Sequence, residues 1–386
     1  MFVNVKDAPF SAVGDGVADY TSAINAAKTA ANGRQIYLPS GVYRTTADLS
    51  DTAYPAFEAI SNGSVHNLFS PSVRYVGDGP RRTTILADYN GDIAKGAIIR
   101  FDTNASRTYG INSGVSQLSI TQVAGRTGLN GIQLTASWFN KQENVEIYGL
   151  SGSGLIASLR PDISPGLSDP YQAFSVLNRQ LWIHNNSGWG VKFDAGQSPG
   201  IYTLENSYLV FNAGGGILST TGQCRIVGNC IQANGSAGGN GGLLFDTAEG
   251  PSMVADVRQN EFDTNFSYHI WLKRVQNGNF AQNRFLSNSY TDTTGWTNGN
   301  GAAGTFMRPG GQVLVGYGDA NEAVNVKFER NMHRAPAGPV PVYGYIQYVG
   351  VGTHNNHFIH NDFTQTGTGM IPYTNFTPAD SEIINP

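Results

Sequence analysis

Residues 216–245 read GILSTTGQCRIVGNCIQANGSAGGNGGLLF, and the architecture turns on this stretch. Gly216-Ile217-Leu218-Ser219 opens it and Gly242-Leu243-Leu244-Phe245 closes it. These are two copies of one short pattern with apolar residues at alternate positions, the period of a strand. Between them stands a second pattern, Asn229-Cys230-Ile231 ending at Asn234: a polar residue, an apolar residue two on, an Asn five on. Both patterns recur. The first begins at Gly131, Gly154, Gly190, Gly216, Gly242, His269, Gln312 and Tyr345, at spacings of 23, 36, 26, 26, 27, 43 and 33 residues. The second begins at Gln180, Ser207, Asn229, Asn260, Asn283 and Asn356 and ends at Asn185, Asn212, Asn234, Asn265, Asn288 and Asn361.

Such spacings suit a coil of about three short strands with turns, sometimes carrying an inserted loop. Two interleaved patterns that keep their order fit a progressive coil better than hairpins, and no Asn-Gly hairpin signal separates the strands regularly. The expected fold is all-β, a single-stranded right-handed parallel β-helix, with Asn residues stacked at one corner of successive coils. Asn tolerates left-handed backbone and hydrogen-bonds its amide to the next Asn, so the ladder is structural.

A solenoid must protect its first coil. Thr21 to Ala31 reads as a short capping helix that starts near Asp19 as N-cap and is stopped by Gly33, followed by a first strand pair within Arg34–Arg44. The expected organisation is therefore a cap with first strands over 1–45 and a β-helix over 46–386, with loops inserted near 158–174 and 288–308.

Charged residues make up 13% of the 386, hydrophobic ones 40%, and Gly contributes 48, which excludes a disordered chain and a bundle of membrane helices. A net charge of −4 without a Lys/Arg run argues against nucleic acid. Met1–Asp7 shows no basic region followed by an apolar one, so no secretion signal is expected in this chain. Cys224 and Cys230, inside one repeat, read as small buried hydrophobes rather than a disulfide. His184, His333, His357 and His360 lack paired ligand spacing and read as ladder or surface residues. Neither metal nor cofactor is expected.

The segment VKDAPFSAVGDGVADYTSAINAA, followed by IYLPSGVYR, resembles the opening of the pectate-lyase-like superfamily, which includes phage tailspike depolymerases and the catalytic modules of mannuronan epimerases. The resemblance is close over residues 3–44 and implies a parallel β-helix and a carbohydrate ligand. It transfers no catalytic residue. Epimerase modules carry Tyr-Gly-Phe-Asp-Pro-His in the coil after an NVEI-like strand, where this chain has Gly154-Leu155-Ile156-Ala157-Ser158-Leu159. The Asp-Asp and Gly-His-Gly signatures of polygalacturonases and the Arg-x-Pro-x-x-Arg run of pectate lyases are absent as well.

Candidate site residues come from alternation within the strands. If Val191 and Phe193 point inward, Lys192 and Asp194 face out; by the same rule Asp246, Trp271 and Lys273 face out. Asp194 and Asp246 then occupy equivalent slots two coils apart, about 9.5 Å, near the upper end of the range for an inverting pair of carboxyls. Trp271, one coil on, is a candidate platform for a sugar ring, while Lys192, Lys273 and, from the first loop, Arg160 are candidate ligands for its anionic or hydroxyl groups.

The expected function is cleavage of glycosidic bonds in a polysaccharide by hydrolysis with Asp194 and Asp246. Two alternatives are elimination on a uronate polymer, with Lys192 or Lys273 as base assisted by Tyr268 or His184, and a non-catalytic binding or tail-fibre module. The resemblance to tailspike β-helices, which commonly assemble as three parallel solenoids, together with outward Leu218, Leu244 and Leu314 that would leave an apolar stripe bare, leads to the expectation of a homotrimer in an extracellular or virion-associated setting.

Overall fold

A computed structural model describes residues 2–52, 58–62, 65–94, 96–102, 108–135, 137–158, 175–194, 201–220, 223–236, 239–246, 254–286, 313–315, 325–334, 346–348, 356–365, 373–374 and 381–384. It divides into two units, Met1–Thr203 and Leu204–Pro386, each built as a parallel β-helix.

In the N-terminal unit, Leu49–Thr52, Ala97–Asp102, Asn130–Leu134, Leu155–Ser158 and Trp189–Asp194 pair in parallel in that order and form one face. Each strand offers an inward column: Leu49, Ile99, Ile132, Leu155 and Val191 stand in register. In the C-terminal unit the same face is made by Gly215–Ser219, Leu243–Asp246, Ile270–Arg274, Val313–Val315, Ile346–Tyr348 and Tyr373–Thr374. The remaining strands form a bent sheet along the other sides of each coil. One antiparallel hairpin, Glu58–Asn62 against Val65–Pro71, branches from the N-terminal unit.

The capping helix runs from Thr21 to Ala31 and buries Ile24, Ala27 and Ala31 against the first strands, Phe2–Asn4 and Gln35–Leu38. Its ends differ from expectation by one residue each. Tyr20 occupies the N-cap position, and Asp19 acts from one residue earlier, its Oδ1 accepting the Thr21 N–H at 2.9 Å. The stop is Asn32, left-handed at φ 44°, with Gly33 following at φ 77°. Gln35–Leu38 and Gly41–Thr45 pair directly with Arg74–Gly77 and Thr83–Ala87, so the first strands are continuous with the coils that follow.

At one corner of the bent sheet the described coils turn through a left-handed residue: Gln117, Asn144 and Gln180 in the N-terminal unit, and Asn206, Gly228, Gln259, Gln282, Arg330 and His360 in the C-terminal unit. The side chain after it points into the corner. In the C-terminal unit that slot holds Ser207, Asn229, Asn260, Asn283, Asn331 and Asn361, all buried. Oδ1 of Asn283 accepts the backbone N–H of Asn260 at 3.1 Å and its Nδ2–H at 3.0 Å, while Nδ2 of Asn283 donates to Val257 O at 2.9 Å and Asn331 Oδ1 at 3.0 Å. A second ladder, Asn212–Asn234–Asn265, runs five residues further along each coil.

The expected ladder is thus two ladders. Asn361 belongs to the first, through Asn331, and not to the second as its spacing from Asn356 suggested. Asn185 is an exposed left-handed residue, and its neighbour Asn186 is the buried one that accepts the Leu150 N–H at 3.0 Å. Asn288 lies outside the described residues.

Beside these ladders two aromatic columns fill the core of the C-terminal unit. Phe280, Phe328 and Phe358 stack at 4.9 and 5.3 Å, and Phe262, Phe285, His333 and Phe363 at 5.3, 4.8 and 4.6 Å. His333 is therefore a core residue standing where its column otherwise has Phe. His360 is one of the left-handed corners. Cys224 and Cys230 are thiols on adjacent strands, and burial pushes both up to about 12.

The outward leucines meet a different fate from the expected one. Leu244 and Leu314 are 5% and 0% exposed in the single chain, and Leu218 is half-buried. Leu244 and Leu314 are thus covered within the single chain, and the bare apolar stripe offered as one ground for a homotrimer is not found there.

Candidate functional site

On the described face of the N-terminal unit the outward column reads Ser50, Arg100, Gln133, Ile156 and Lys192. Lys192 is half-buried beside Ile156 in this column. Ile156 has nothing to ionise. Asp194 ends its strand opposite Ser158. Arg160 and the rest of the loop at 159–174 lie outside the described residues, as do residues 287–312, which hold the second loop.

In the C-terminal unit the outward column runs Leu218, Leu244, Trp271 and Leu314. Alternation placed Trp271 correctly between inward Ile270 and Leu272, yet its indole is 6% exposed. Tyr268 packs edge-on at 5.5 Å and the Lys273 ammonium sits 4.4 Å over the ring. The open stacking platform expected there is corrected accordingly: an outward slot on this face is covered by other parts of the chain.

Lys273 is corrected too. Asp246 pairs in register with Arg274 and not with Lys273, because the strand bulges between them. The bulge swings Lys273 back across Trp271 to reach Asp246 Oδ2 at 3.2 Å, and Arg274 approaches Oδ1 at 3.6 Å. Asp246 itself keeps 30% of its side chain exposed, so it is an accessible carboxylate on a strand whose other outward residue, Leu244, is buried.

The residues assigned to elimination do not assemble. Tyr268 is fully buried, with burial pushing its phenol well above the ordinary range, and Lys273 is engaged by Asp246 and Trp271. His184 lies on the bent sheet of the N-terminal unit, not on the face that carries Lys192.

What sequence reasoning missed is the group around His184. Glu146 is buried yet charged: Ser119 Oγ–H donates to its Oε2 at 2.7 Å, and Arg81 Nε–H and the His184 Nε2 reach its Oε1 at 2.9 and 3.2 Å. Burial alone would raise the pKa of this carboxyl, but Arg81, Ser119 and His184 together hold it below the usual value. The sequence signal was present, since Glu146 alternates with inward Val145 and Ile147. What made it invisible is that its partners come from 65 residues upstream and 38 downstream.

The fold defines the class: a parallel β-helix. Residues 2–239 match the family described as rhamnogalacturonase A/epimerase, pectate lyase-like, and the chain belongs to that family. Among curated proteins it is 29% identical over 293 residues to mannuronan C5-epimerase AlgE2 of Azotobacter vinelandii, covering 72% of this chain and 25% of that protein. The chain thus spans about a quarter of the length of that relative. Among solved structures, the A-module of Azotobacter vinelandii mannuronan C-5 epimerase AlgE4 superposes with a TM-score of 0.57 at 19% identity, covering 98% of this chain and 99% of the module. The catalytic unit of a GH87 α-1,3-glucanase from Streptomyces thermodiastaticus gives 0.57 at 16%, covering 100% and 68%. At these identities the structural likenesses speak for the fold.

Proposed function

We propose that this protein cleaves glycosidic bonds of a polysaccharide by hydrolysis, with Asp246 and Asp194 as the paired carboxyl groups. One observation carries the reading: Asp246 is an accessible, ion-paired carboxylate at the end of a strand whose other outward residue is buried. An ion-paired carboxylate suits the base that activates water, which leaves Asp194, in the slot that alternation assigns to it, as the acid that protonates the leaving oxygen. Lys192 and Arg160 are the proposed sugar ligands. Lys273 and Trp271 act by holding Asp246 in place. The family and the curated relative support a polysaccharide as substrate. Ala157 and Leu159, which stand where the epimerase stretch has its Asp and His, argue against epimerisation.

Incubation with mannuronan, rhamnogalacturonan and α-1,3-glucan, followed by assays for reducing ends and for ultraviolet-absorbing unsaturated products, tests this. New reducing ends without unsaturation are expected, and Asp246→Asn and Asp194→Asn should each lower the rate by two orders of magnitude or more while the fold persists. Unsaturated products would establish elimination, and substantial activity in both variants would remove the assignment.

A further inference from the structure

We propose that Trp182, Arg81, His184 and Tyr148 form a second carbohydrate-binding site on the bent sheet of the N-terminal unit. It would take one pyranose unit of a polymer strand, away from the face that carries Lys192.

Trp182 and His184 are outward residues of the strand Trp182–His184, and they stand in register with Glu146 and Tyr148 of the neighbouring coil. The indole is 37% exposed, an unusual position for the largest apolar side chain on a coil whose core is already filled. It is also fixed. The Arg81 guanidinium carbon lies 4.6 Å from its ring centroid, and the His184 ring lies 4.5 Å away, itself stacked on Tyr148 at 5.2 Å.

Buried Glu146 sets both flanks, binding Arg81 on one side and His184 on the other. Arg81 is held further by its backbone N–H, which donates to Ser119 Oγ at 2.7 Å, although its φ of 64° is unfavourable for a non-glycine residue. A buried carboxylate adds little net stability compared with an apolar residue of the same volume. What the arrangement achieves is orientation: a rigid indole capped by a guanidinium that lies over its ring, is 65% exposed and, among the described residues, has no partner at Nη1.

That combination matches a sugar ring, which presents C–H groups on one side and oxygen atoms around its edge. The charges balance locally, Arg81 against Glu146, so the site does not demand an anionic sugar. A protein partner fits less well. Among the described residues of the N-terminal unit, the neighbours of Trp182 in register and on its own strand are Glu146 and His184, with no Leu, Ile or Val beside them to widen the patch into the apolar centre that a subunit interface uses.

Affinity electrophoresis through gels containing mannuronan, rhamnogalacturonan or α-1,3-glucan tests the proposal, run in an Asp246→Asn background so that the polymer is not consumed. The Asp246→Asn protein should be retarded by at least one polymer. Adding Trp182→Ala should weaken that retardation about three- to tenfold, whereas Trp182→Phe should keep most of it. Circular dichroism and the melting temperature show whether each variant is folded. Undiminished retardation of a folded Trp182→Ala variant overturns the site, as does retardation by none of the polymers. A fall in oligomer size by light scattering with unchanged retardation would make Trp182 a subunit contact and overturn it equally. Because binding is read without catalysis, this outcome is independent of whether Asp246 performs hydrolysis.

Discussion

The same corner of the coil is built in two ways. After the left-handed residue, the N-terminal unit buries Leu118, Val145 and Leu181, whereas the C-terminal unit buries Ser207 and then Asn229, Asn260, Asn283, Asn331 and Asn361. The backbone turn is common to both, so it does not dictate the side chain. What differs is where polar groups are satisfied. The C-terminal unit places them inside, as amide ladders flanked by stacked aromatic columns with a buried histidine in one of them. The N-terminal unit keeps this corner apolar and has charge just outside it, as Glu146 with Arg81 and His184, or Asp88 between Arg44 and Arg126. An amide ladder is neutral and insensitive to pH, while a buried histidine or carboxylate is not.

The largest test of this contrast is acid. Burial lowers His269 to about 4 and His333 to about 3, both in the C-terminal unit. An unfolded histidine titrates near 6.5, so their stabilising effect is complete above that pH and is lost as pH falls towards the folded values. Between pH 7 and pH 5 the two together should remove about 4 kcal/mol, read as a shift of the urea midpoint. His333→Phe, which completes the aromatic column, should abolish about half of that loss. An unchanged pH dependence in the variant would show that His333 is not buried in its neutral form.

Next in size is the ladder. Asn283→Leu places in the C-terminal corner the kind of residue the N-terminal unit uses, and strands the Asn260 N–H and the Val257 carbonyl. A loss of about 3 kcal/mol is expected, since each buried group left unsatisfied costs roughly 1 kcal/mol or more. A loss below about 0.5 kcal/mol would mean that the two corners are interchangeable.

The smallest effect belongs to the N-terminal unit. Glu146→Ala removes a fully buried carboxylate, but Arg81 is solvent-exposed and does not become a buried unpaired charge. About 2 kcal/mol is expected by urea unfolding, below the range for breaking a wholly buried pair. A loss larger than that of Asn283→Leu would reverse the comparison.

The sequence by itself determined the coil. Alternation of apolar residues placed the strands of the exposed face, the Ala-rich run placed the helix from Thr21 to Ala31, and the recurrent Asn announced the ladders, because each of these is a local property repeated at a fixed interval. Alternation also told inward from outward correctly at Val191, Leu243, Ile270 and Trp271. Tertiary structure alone decided what becomes of an outward residue. Trp271 and Leu244 are covered by groups that no period encodes, and a bulge between Asp246 and Arg274 moved Lys273 across the indole. Asn361 joined one ladder and not the other because membership depends on which coil lies beneath, not on the count from Asn356. Glu146 acquired its charge partners through distances of tens of residues in sequence and a few ångströms in space. Periodicity fixes the direction in which a side chain leaves the backbone; only the neighbouring coils and the segments folded over them determine what it meets there.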